Sequence, residues 1–193
     1  MQNKILIELH KQPQTVFTLT EISLLFPGIS YTNIKDRMSY LTRRGAIARL
    51  RKGVYAKENY NSQELANKLY TPSYISLETV LQQAGVIFQY YEQITSVSYL
   101  SRTVQVSGHI LDYKKIKEEV LTNRAGIVTK NNVNIATPER AFLDAIYLYS
   151  NYHVDNLSSL NWKKINEFMG LYVNKSLNRR VADYYQIYQE NNA

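Results

Sequence analysis

Residues 32–52 hold a dense group of short polar, aromatic and basic side chains whose types suit recognition of a nucleic acid duplex. Polar side chains on an exposed helix face can hydrogen-bond to base edges, and lysines and arginines beside them can neutralise phosphates. We expect base contacts from Thr32, Asn33, Tyr40 and Arg43. Further DNA contacts, mainly to the sugar–phosphate backbone, are expected from Lys35, Arg37, Arg44, Arg49, Arg51 and Lys52. The predicted chemistry is reversible binding.

A second group of residues raises the question of catalysis. Asp112, Glu139 and Asp144 would suit a nuclease-like enzyme if the fold brought them together beside a bound nucleic acid. The three histidines are scattered without metal-ligand spacing, and the sequence has no glycine-rich phosphate loop, HExxH or Ser-His-Asp signature. We therefore predict no catalytic residue, no metal site and no cofactor, and we keep the nuclease-like enzyme as an alternative.

The polar and basic residues at 32–44 can face DNA together only if they lie on a helix whose other face is buried. Ile34, Met38 and Leu41 fall at i, i+4 and i+7, so they predict an apolar stripe on a helix from about Tyr31 to Arg44. At 100° per residue the expected base contacts then point away from that stripe.

The segment after this helix predicts a short basic hairpin. Gly45 is placed to end the helix, and the turn of the hairpin needs Gly53 or a near neighbour. Ile47 and Val54 would face a core. A polar helix beside an arginine-rich ribbon is typical of a winged helix-turn-helix protein, and a solvated amphipathic helix with a charged hairpin is the plain alternative.

The upstream sequence favours the first interpretation. Thr18 and Glu21 have the spacing of a capping box, which predicts that a helix begins directly after Thr18. This helix would stop at Pro27-Gly28, and Ser30 would cap the next one. With one earlier amphipathic segment, three helices and a hairpin fit within residues 1–60, which we predict to be the DNA-binding domain.

Charge is concentrated in the same range. Residues 1–60 contain ten Lys and Arg against four Asp and Glu, a net charge of +6, whereas the remaining residues contain thirteen against twelve, a net charge of +1. Such a distribution is expected when one domain binds a polyanion. The chain has no cysteine, which excludes disulfides and thiolate chemistry and predicts an intracellular protein. No apolar run approaches the ~20 residues of a membrane span.

Residues 61–193 predict a second domain that is α+β, with a small sheet and a helical C-terminus. A surface helix is predicted from Tyr113 to Leu121. Three β-branched or alternating runs predict three or four strands of a mixed or antiparallel sheet. These runs are residues 94–100, 103–113 and 131–137.

Helix signals place the other elements of this domain. Residues 63–70 are interpreted as a short helix-like connection between domains, and Ser76 as the cap of a buried helix. Thr137-Pro138 opens a helix that is apolar nearly all round and therefore central. On it, Arg140 and Asp144 are four residues apart, and we predict that they form a structural ion pair.

Two amphipathic segments, 160–169 and 175–189, predict the helical C-terminus. Their charged faces carry a possible second basic patch, although charged faces of terminal helices are usually only solvated. The basic residues are Lys163, Lys164, Lys175, Arg179 and Arg180.

Three passages resemble one family. They are SYTNIKDRMSYLTRRGAIARLRKGVYA, YTPSYISLETVLQQAGVI and IATPERAFLDAIYL, and in this order they are similar to the AbiEi-type antitoxins of type IV toxin–antitoxin, or abortive infection, systems of phage defence. The resemblance covers residues 5–150. The first passage alone is shared by many winged helices, whereas the second and third are more specific.

The resemblance implies a cytoplasmic bacterial regulator that represses its own operon by binding inverted repeats in its promoter. It also implies that the C-terminal domain counters a nucleotidyltransferase toxin of the AbiEii type, without assigning direct contact. On this basis Lys163, Lys164, Arg179 and Arg180 become a candidate antitoxin surface. The other interpretations are a repressor without an antitoxin role and the nuclease-like enzyme. We further expect each domain to fold and act alone.

Overall fold

The structure is a computed structural model that describes residues 2–191, so the outermost ends of the ranges 1–60 and 61–193 lie outside the described residues. The fold is α+β, as predicted. Helices pack on one side of a three-stranded sheet in the N-terminal part, and a mixed six-stranded sheet organises the rest of the described chain.

The N-terminal part contains three helices and three strands. They are α1 (Gln2–Lys11), β1 (Val16–Thr18), α2 (Leu19–Leu25), α3 (Tyr31–Arg43), β2 (Ala48–Arg51) and β3 (Val54–Ala56). β3 lies between β1 and β2 and pairs antiparallel with both. The sequence pattern predicted the β2–β3 hairpin but not β1, which is only three residues long.

The local signals for these elements are confirmed. The Glu21 carboxylate accepts from Thr18 N at 2.8 Å and the Thr18 hydroxyl accepts from Glu21 N at 3.2 Å, which completes the capping box. The Ser30 hydroxyl accepts from the backbone N–H at the third position of α3. Gly45 follows α3 with φ +69°, and Gly53 turns the hairpin with φ +78°, a region that favours glycine.

The C-terminal part contains further strands and helices. They are α4 (Ser62–Leu69), β4 (Ser73–Ile75), α5 (Glu78–Gln83), β5 (Ile94–Ser98), β6 (Arg102–Val106), β7 (His109–Lys115), α6 (Glu118–Thr122), β8 (Ile127–Lys130), β9 (Val133–Ala136), α7 (Pro138–Leu148), α8 (Trp162–Met169) and α9 (Lys175–Asn191). The strand order is β6-β7-β5-β4-β9-β8. The β5–β7 and β4–β9 pairs are parallel and the others antiparallel, so the sheet is mixed.

The predicted surface helix from Tyr113 to Leu121 is wrong. Tyr113 is fully buried in β7, and its hydroxyl donates to the Ala66 carbonyl at 2.8 Å. The helix is reduced to the five residues of α6. Burial of one aromatic ring and the pairing of β7 with two neighbouring strands outweigh the helical charge pattern.

The role predicted for Ser76 is also wrong. Its side chain makes no cap to α5; the hydroxyl instead donates to Asp144 Oδ2 at 2.8 Å. Leu77 precedes α5 with φ +58°. A buried carboxylate therefore competes successfully for the hydroxyl that sequence spacing assigned to the helix.

α4 forms at the helix-like run predicted over residues 63–70, and it is packed against both parts of the chain. Leu65 is fully buried in the same core as Val16 and Ala56 of the three-stranded sheet. The buried Glu64 carboxylate accepts from Thr15 N at 2.9 Å and from Thr15 Oγ1 at 2.6 Å. α4 thus joins the two parts by apolar contact and by hydrogen bonds.

α7 is the central helix of the larger part, as predicted. Thr137 caps it, and the residues from Glu139 to Ile146 are all buried. Among the helices within residues 2–191, none combines the length and apolar character needed to cross a bilayer.

Candidate nucleic-acid interface

The apolar stripe of α3 fixes which of its side chains face outward. Ile34, Met38 and Leu41 are buried in a small core shared with α1, α2 and the inner face of the three-stranded sheet. Because a helix turns 100° per residue, burial of this stripe holds the opposite face of α3 toward solvent. Most of the expected DNA contacts of this helix are exposed on that face or on its flanks. These are Thr32, Asn33, Lys35, Arg43 and Arg44.

Two predicted contacts on α3 lie elsewhere. Arg37 is half-buried and lines a cleft of about 580 Å³ between α1 and the α2–α3 turn, together with Lys4 and Glu8. Tyr40 is half-buried and packs against the small core. Long side chains on the flank of a helix can lean onto apolar surface, which a helical projection does not anticipate. The exposed polar face is therefore narrower than predicted.

The two arginines of the basic hairpin lie on opposite faces of the sheet. The β2–β3 register is regular at Arg49, opposite Tyr55, and then shifts so that Arg51 is opposite Val54. Residues paired across antiparallel strands share a face, and a bulge changes which face follows. Arg49 thus lies on the face of the sheet that covers the small core, whereas Arg51 lies on the face toward α4. Arg51 Nη1 accordingly donates to the Tyr70 hydroxyl at 3.4 Å.

Tyr55 lies opposite Arg49 in the hairpin and is buried in the small core. Burial raises the pKa of Tyr55, the nearby Arg49 guanidinium opposes the shift, and Tyr31 adds to it. Tyr31 is 53% exposed at the first position of α3, and sequence reasoning did not select it. Its large exposed ring at a helix start was the available signal.

Lys57 accounts for part of the N-terminal charge in a different way. Its ammonium donates to the Gln12 carbonyl at 2.6 Å and to the His10 carbonyl at 3.3 Å. A lysine at a helix C-terminus satisfies carbonyls that the helix leaves unpaired. This positive charge therefore fastens α1 to β3, and Lys52 in the hairpin turn remains exposed.

Of the three carboxylates that could have formed a catalytic group, Asp144 belongs to a buried structural network. Arg140 Nε lies 3.4 Å from Asp144 Oδ1, and both side chains are fully buried, so the predicted ion pair is confirmed. Asp144 accepts from the hydroxyls of Tyr74, Ser76 and Tyr172 at 2.7–3.2 Å. Burial raises the pKa of Asp144, against the lowering effect of Arg140 and these hydroxyls.

This network joins two of the passages that carry the family resemblance. Tyr74 and Ser76 come from the second passage, and Arg140 and Asp144 come from the third. The Arg140 guanidinium also lies 5.5 Å from the Tyr74 ring centroid and donates to the Val120 carbonyl at 2.7 Å. These motif residues therefore hold β4 and α7 together in the core.

The other two carboxylates have separate partners. Asp112 accepts from Thr103 Oγ1 at 2.8 Å and pairs with Lys114 at 2.9 Å. Glu139 accepts from Asn161 N at 3.4 Å, at the start of α8. Within residues 2–191 no cluster of three or more His, Asp or Glu side chains has the arrangement of a metal site.

The basic residues of the terminal helices differ in their exposure. Lys163 and Lys164 are exposed in the first turn of α8, and Arg179 is exposed on α9. Arg180 is half-buried and donates to the Tyr149 carbonyl at 3.4 Å. Arg180 therefore helps to attach α9 to the segment after α7, and three of the four residues of the candidate antitoxin surface are exposed.

Comparison of the chain with known protein families finds no match, and comparison with curated proteins finds none.

Proposed function

We propose that this protein is a DNA-binding transcriptional repressor whose residues 1–60 act as a winged helix-turn-helix. One observation carries the proposal: the solvent-facing side of α3 presents Thr32, Asn33 and Arg43 while its other side is held by the small core. α2, the short turn and α3 then have the order of a helix-turn-helix, with the second helix in the major groove. The β2–β3 hairpin is the wing.

The charge distribution supports separate roles for the helix and the wing. Short polar side chains and an arginine can discriminate base edges, so we assign base contacts to Thr32, Asn33 and Arg43. Lys35 and Arg44 on the flanks of α3, Arg49 beside Tyr55 and Lys52 in the turn are assigned to phosphates. Arg37 and Tyr40 are assigned supporting roles because their side chains are half-buried, and Arg51 because it lies on the face of the sheet toward α4.

The regulatory setting is proposed from the family resemblance. It comprises a cytoplasmic antitoxin that represses its own operon through inverted repeats and counters a nucleotidyltransferase toxin of the AbiEii type. We propose no catalytic role and no membrane association.

The DNA-binding proposal is tested by fluorescence anisotropy of the full chain with a duplex from its own promoter and a scrambled duplex of equal length. We expect the promoter duplex to bind at least about 10³-fold more tightly at physiological salt. Lys130→Ala removes an exposed charge from β8 and serves as the matched control, with unchanged affinity. Cleavage of either duplex in the presence of Mg²⁺ would instead favour the nuclease-like alternative.

The antitoxin proposal needs a separate test. Charge reversal of Lys163, Lys164 and Arg179, with Arg180 retained because it bonds to the Tyr149 carbonyl, should abolish protection of cells from the adjacent toxin. Promoter binding and thermal stability should not change. Full protection by this variant would refute the basic surface, and an adjacent gene without a nucleotidyltransferase would leave the repressor alone. A pull-down of the toxin decides between direct contact and an indirect effect.

A further inference from the structure

A polar cleft of about 240 Å³ lies where the N-terminal and C-terminal parts meet. Glu21 of α2 forms one wall, Lys68 of α4 a second, and Arg124, Asn132 and Asn134 a third, around the β8–β9 hairpin. Clefts for drug-sized ligands have volumes of roughly 300–1,000 Å³. This cleft is below that range, so its size fits a smaller molecule.

The ionisable groups of the cleft favour an anion. Its lining includes two cations, Lys68 and Arg124, and one acid, Glu21, which gives a net charge of +1. Lys68 already pairs with the Glu21 carboxylate. Lys68 is 19% exposed, so its ammonium is shielded without being sealed from solvent. An oxyanion that entered the cleft would compete with Glu21 for this ammonium.

Arg124 is oriented by its neighbours although it is exposed. Its Nη2 donates to Thr129 Oγ1 at 3.3 Å and to Asn134 Oδ1 at 3.2 Å. A guanidinium has five N–H donors in a planar fork, so donors remain after these two bonds. The fork geometry matches the oxygens of a phosphate or a carboxylate.

The remaining wall is preformed and polar. Asn67 Oδ1 accepts from Asn134 N at 2.7 Å, which fixes α4 against β9. Asn67 Nδ2 and Ser73 Oγ are buried and have no hydrogen-bond partner within the described part of the chain. Both residues line the cleft. Both atoms are closed to solvent, so a hydroxylated molecule in the cleft would instead hydrogen-bond to the more exposed polar residues of the lining, Thr71, Asn132 and Asn134.

We propose that this cleft binds a small hydroxylated molecule through a phosphate or carboxylate group held between Lys68 and Arg124. The anion takes the place of Glu21 as the partner of Lys68, and the amide and hydroxyl groups of the other wall hydrogen-bond to the rest of the molecule. The site does not depend on the proposed DNA binding. Binding would nevertheless change a contact between the two parts of the chain. The displaced Glu21 carboxylate pairs with Lys68 of α4 and also caps α2.

The test is isothermal titration of the full chain with ribose 5-phosphate, with gluconate as the carboxylate counterpart and ribose as the uncharged control. We expect saturable binding of one or both anions with a stoichiometry of one, and no binding of ribose. Arg124→Gln should weaken binding by about tenfold or more, as loss of a charge-assisted hydrogen bond does. Lys130→Gln, at an exposed position on the same hairpin, should leave the affinity unchanged.

A second variant separates ligand competition from a structural effect. Glu21→Gln removes the competing carboxylate, so it should strengthen anion binding even if it lowers stability. Failure of both anions to bind, equal losses in Arg124→Gln and Lys130→Gln, or weaker binding by Glu21→Gln would overturn the proposal. Displacement of bound ribose 5-phosphate by an unrelated short duplex at equal phosphate concentration would overturn it in favour of a DNA backbone contact.

Discussion

Replacing the two hairpin arginines one at a time tests whether the bulge in β2 divides their roles. Arg49 is opposite Tyr55 on the side of the sheet that faces the small core, and Arg51 is opposite Val54 and bonds to Tyr70. If Arg49 neutralises one phosphate, Arg49→Ala should reduce the slope of log K against log salt by about 0.9. Arg51→Ala should reduce it by much less, because the register places Arg51 on the opposite face of the sheet, away from α3.

The magnitude is measurable by fluorescence anisotropy. A slope change of about 0.9 means that the affinity ratio of wild type to Arg49→Ala narrows by about 3.5-fold between 50 mM and 200 mM salt. The ratio for Arg51→Ala should stay nearly constant across the same range. The preferred DNA sequence should not change in either variant, since a phosphate contact carries no base information.

Lys130→Ala again controls for the loss of one positive charge anywhere on the protein. Equal slope changes in Arg49→Ala and Arg51→Ala would show that the bulge does not divide the arginines. An unchanged slope in Arg49→Ala would refute the assignment of the hairpin as a wing.

Three other perturbations address the helix, the core and the junction. Asn33→Ala should cost about 1–3 kcal/mol on the promoter duplex and relax preference at one base pair, and equal losses on scrambled DNA would show that Asn33 only positions the helix. Asp144→Ala should lower the free energy of unfolding in urea by about 3–5 kcal/mol because it leaves the buried Arg140 charge without a partner. A loss below about 1 kcal/mol would contradict a stabilising role of the buried network. Burial raises the pKa of Glu21, but Lys68 and the bonds to Thr18 outweigh it, and the pKa lies below its usual value of 4.5. The Glu21 carboxylate therefore stabilises the fold above pH 4.5 and loses this effect as the pH falls through its folded-state pKa. Acid unfolding curves of Glu21→Gln should be shallower in that range. Curves identical to wild type would contradict a stabilising role of the Glu21 charge.

The elements that sequence reasoning predicted well are those with strong local signals. The apolar spacing of Ile34, Met38 and Leu41 specified the buried face of α3, and the capping box at Thr18 specified where α2 begins. The pattern around Thr137 likewise specified α7. Such signals act within one or two helical turns, so no distant contact is needed to interpret them.

The features that were missed depend on distant partners. The pairing that forms β1 requires β3, almost forty positions later in the chain, and the bulge that separates Arg49 from Arg51 appears only in the register with β3. Ser76 bonds to Asp144, which lies in another element. The exposed part of the candidate DNA-binding surface was therefore predicted residue by residue, whereas the half-buried position of Arg37 and the placement of Arg51 on the other face of the sheet were not.

The junction changes how the two parts should be studied. Leu65 of α4 shares a core with Val16 and Ala56, so a cut at residue 60 would expose apolar surface on both fragments. Point variants in the full chain are therefore a better test of each part than fragments that would have to fold alone. Loss of activity in a fragment cut at this boundary would not distinguish a missing site from a disrupted core.

We propose above all that α3 selects DNA by sequence. The most direct measurement is repeated selection of duplexes bound by the full chain from a random pool, followed by sequencing, for wild type and for Asn33→Ala. We predict that wild type enriches a defined consensus and that Asn33→Ala enriches the same consensus with preference lost at one base pair of each half-site. Enrichment of no consensus by wild type, with duplexes bound in proportion to their abundance, would contradict the account.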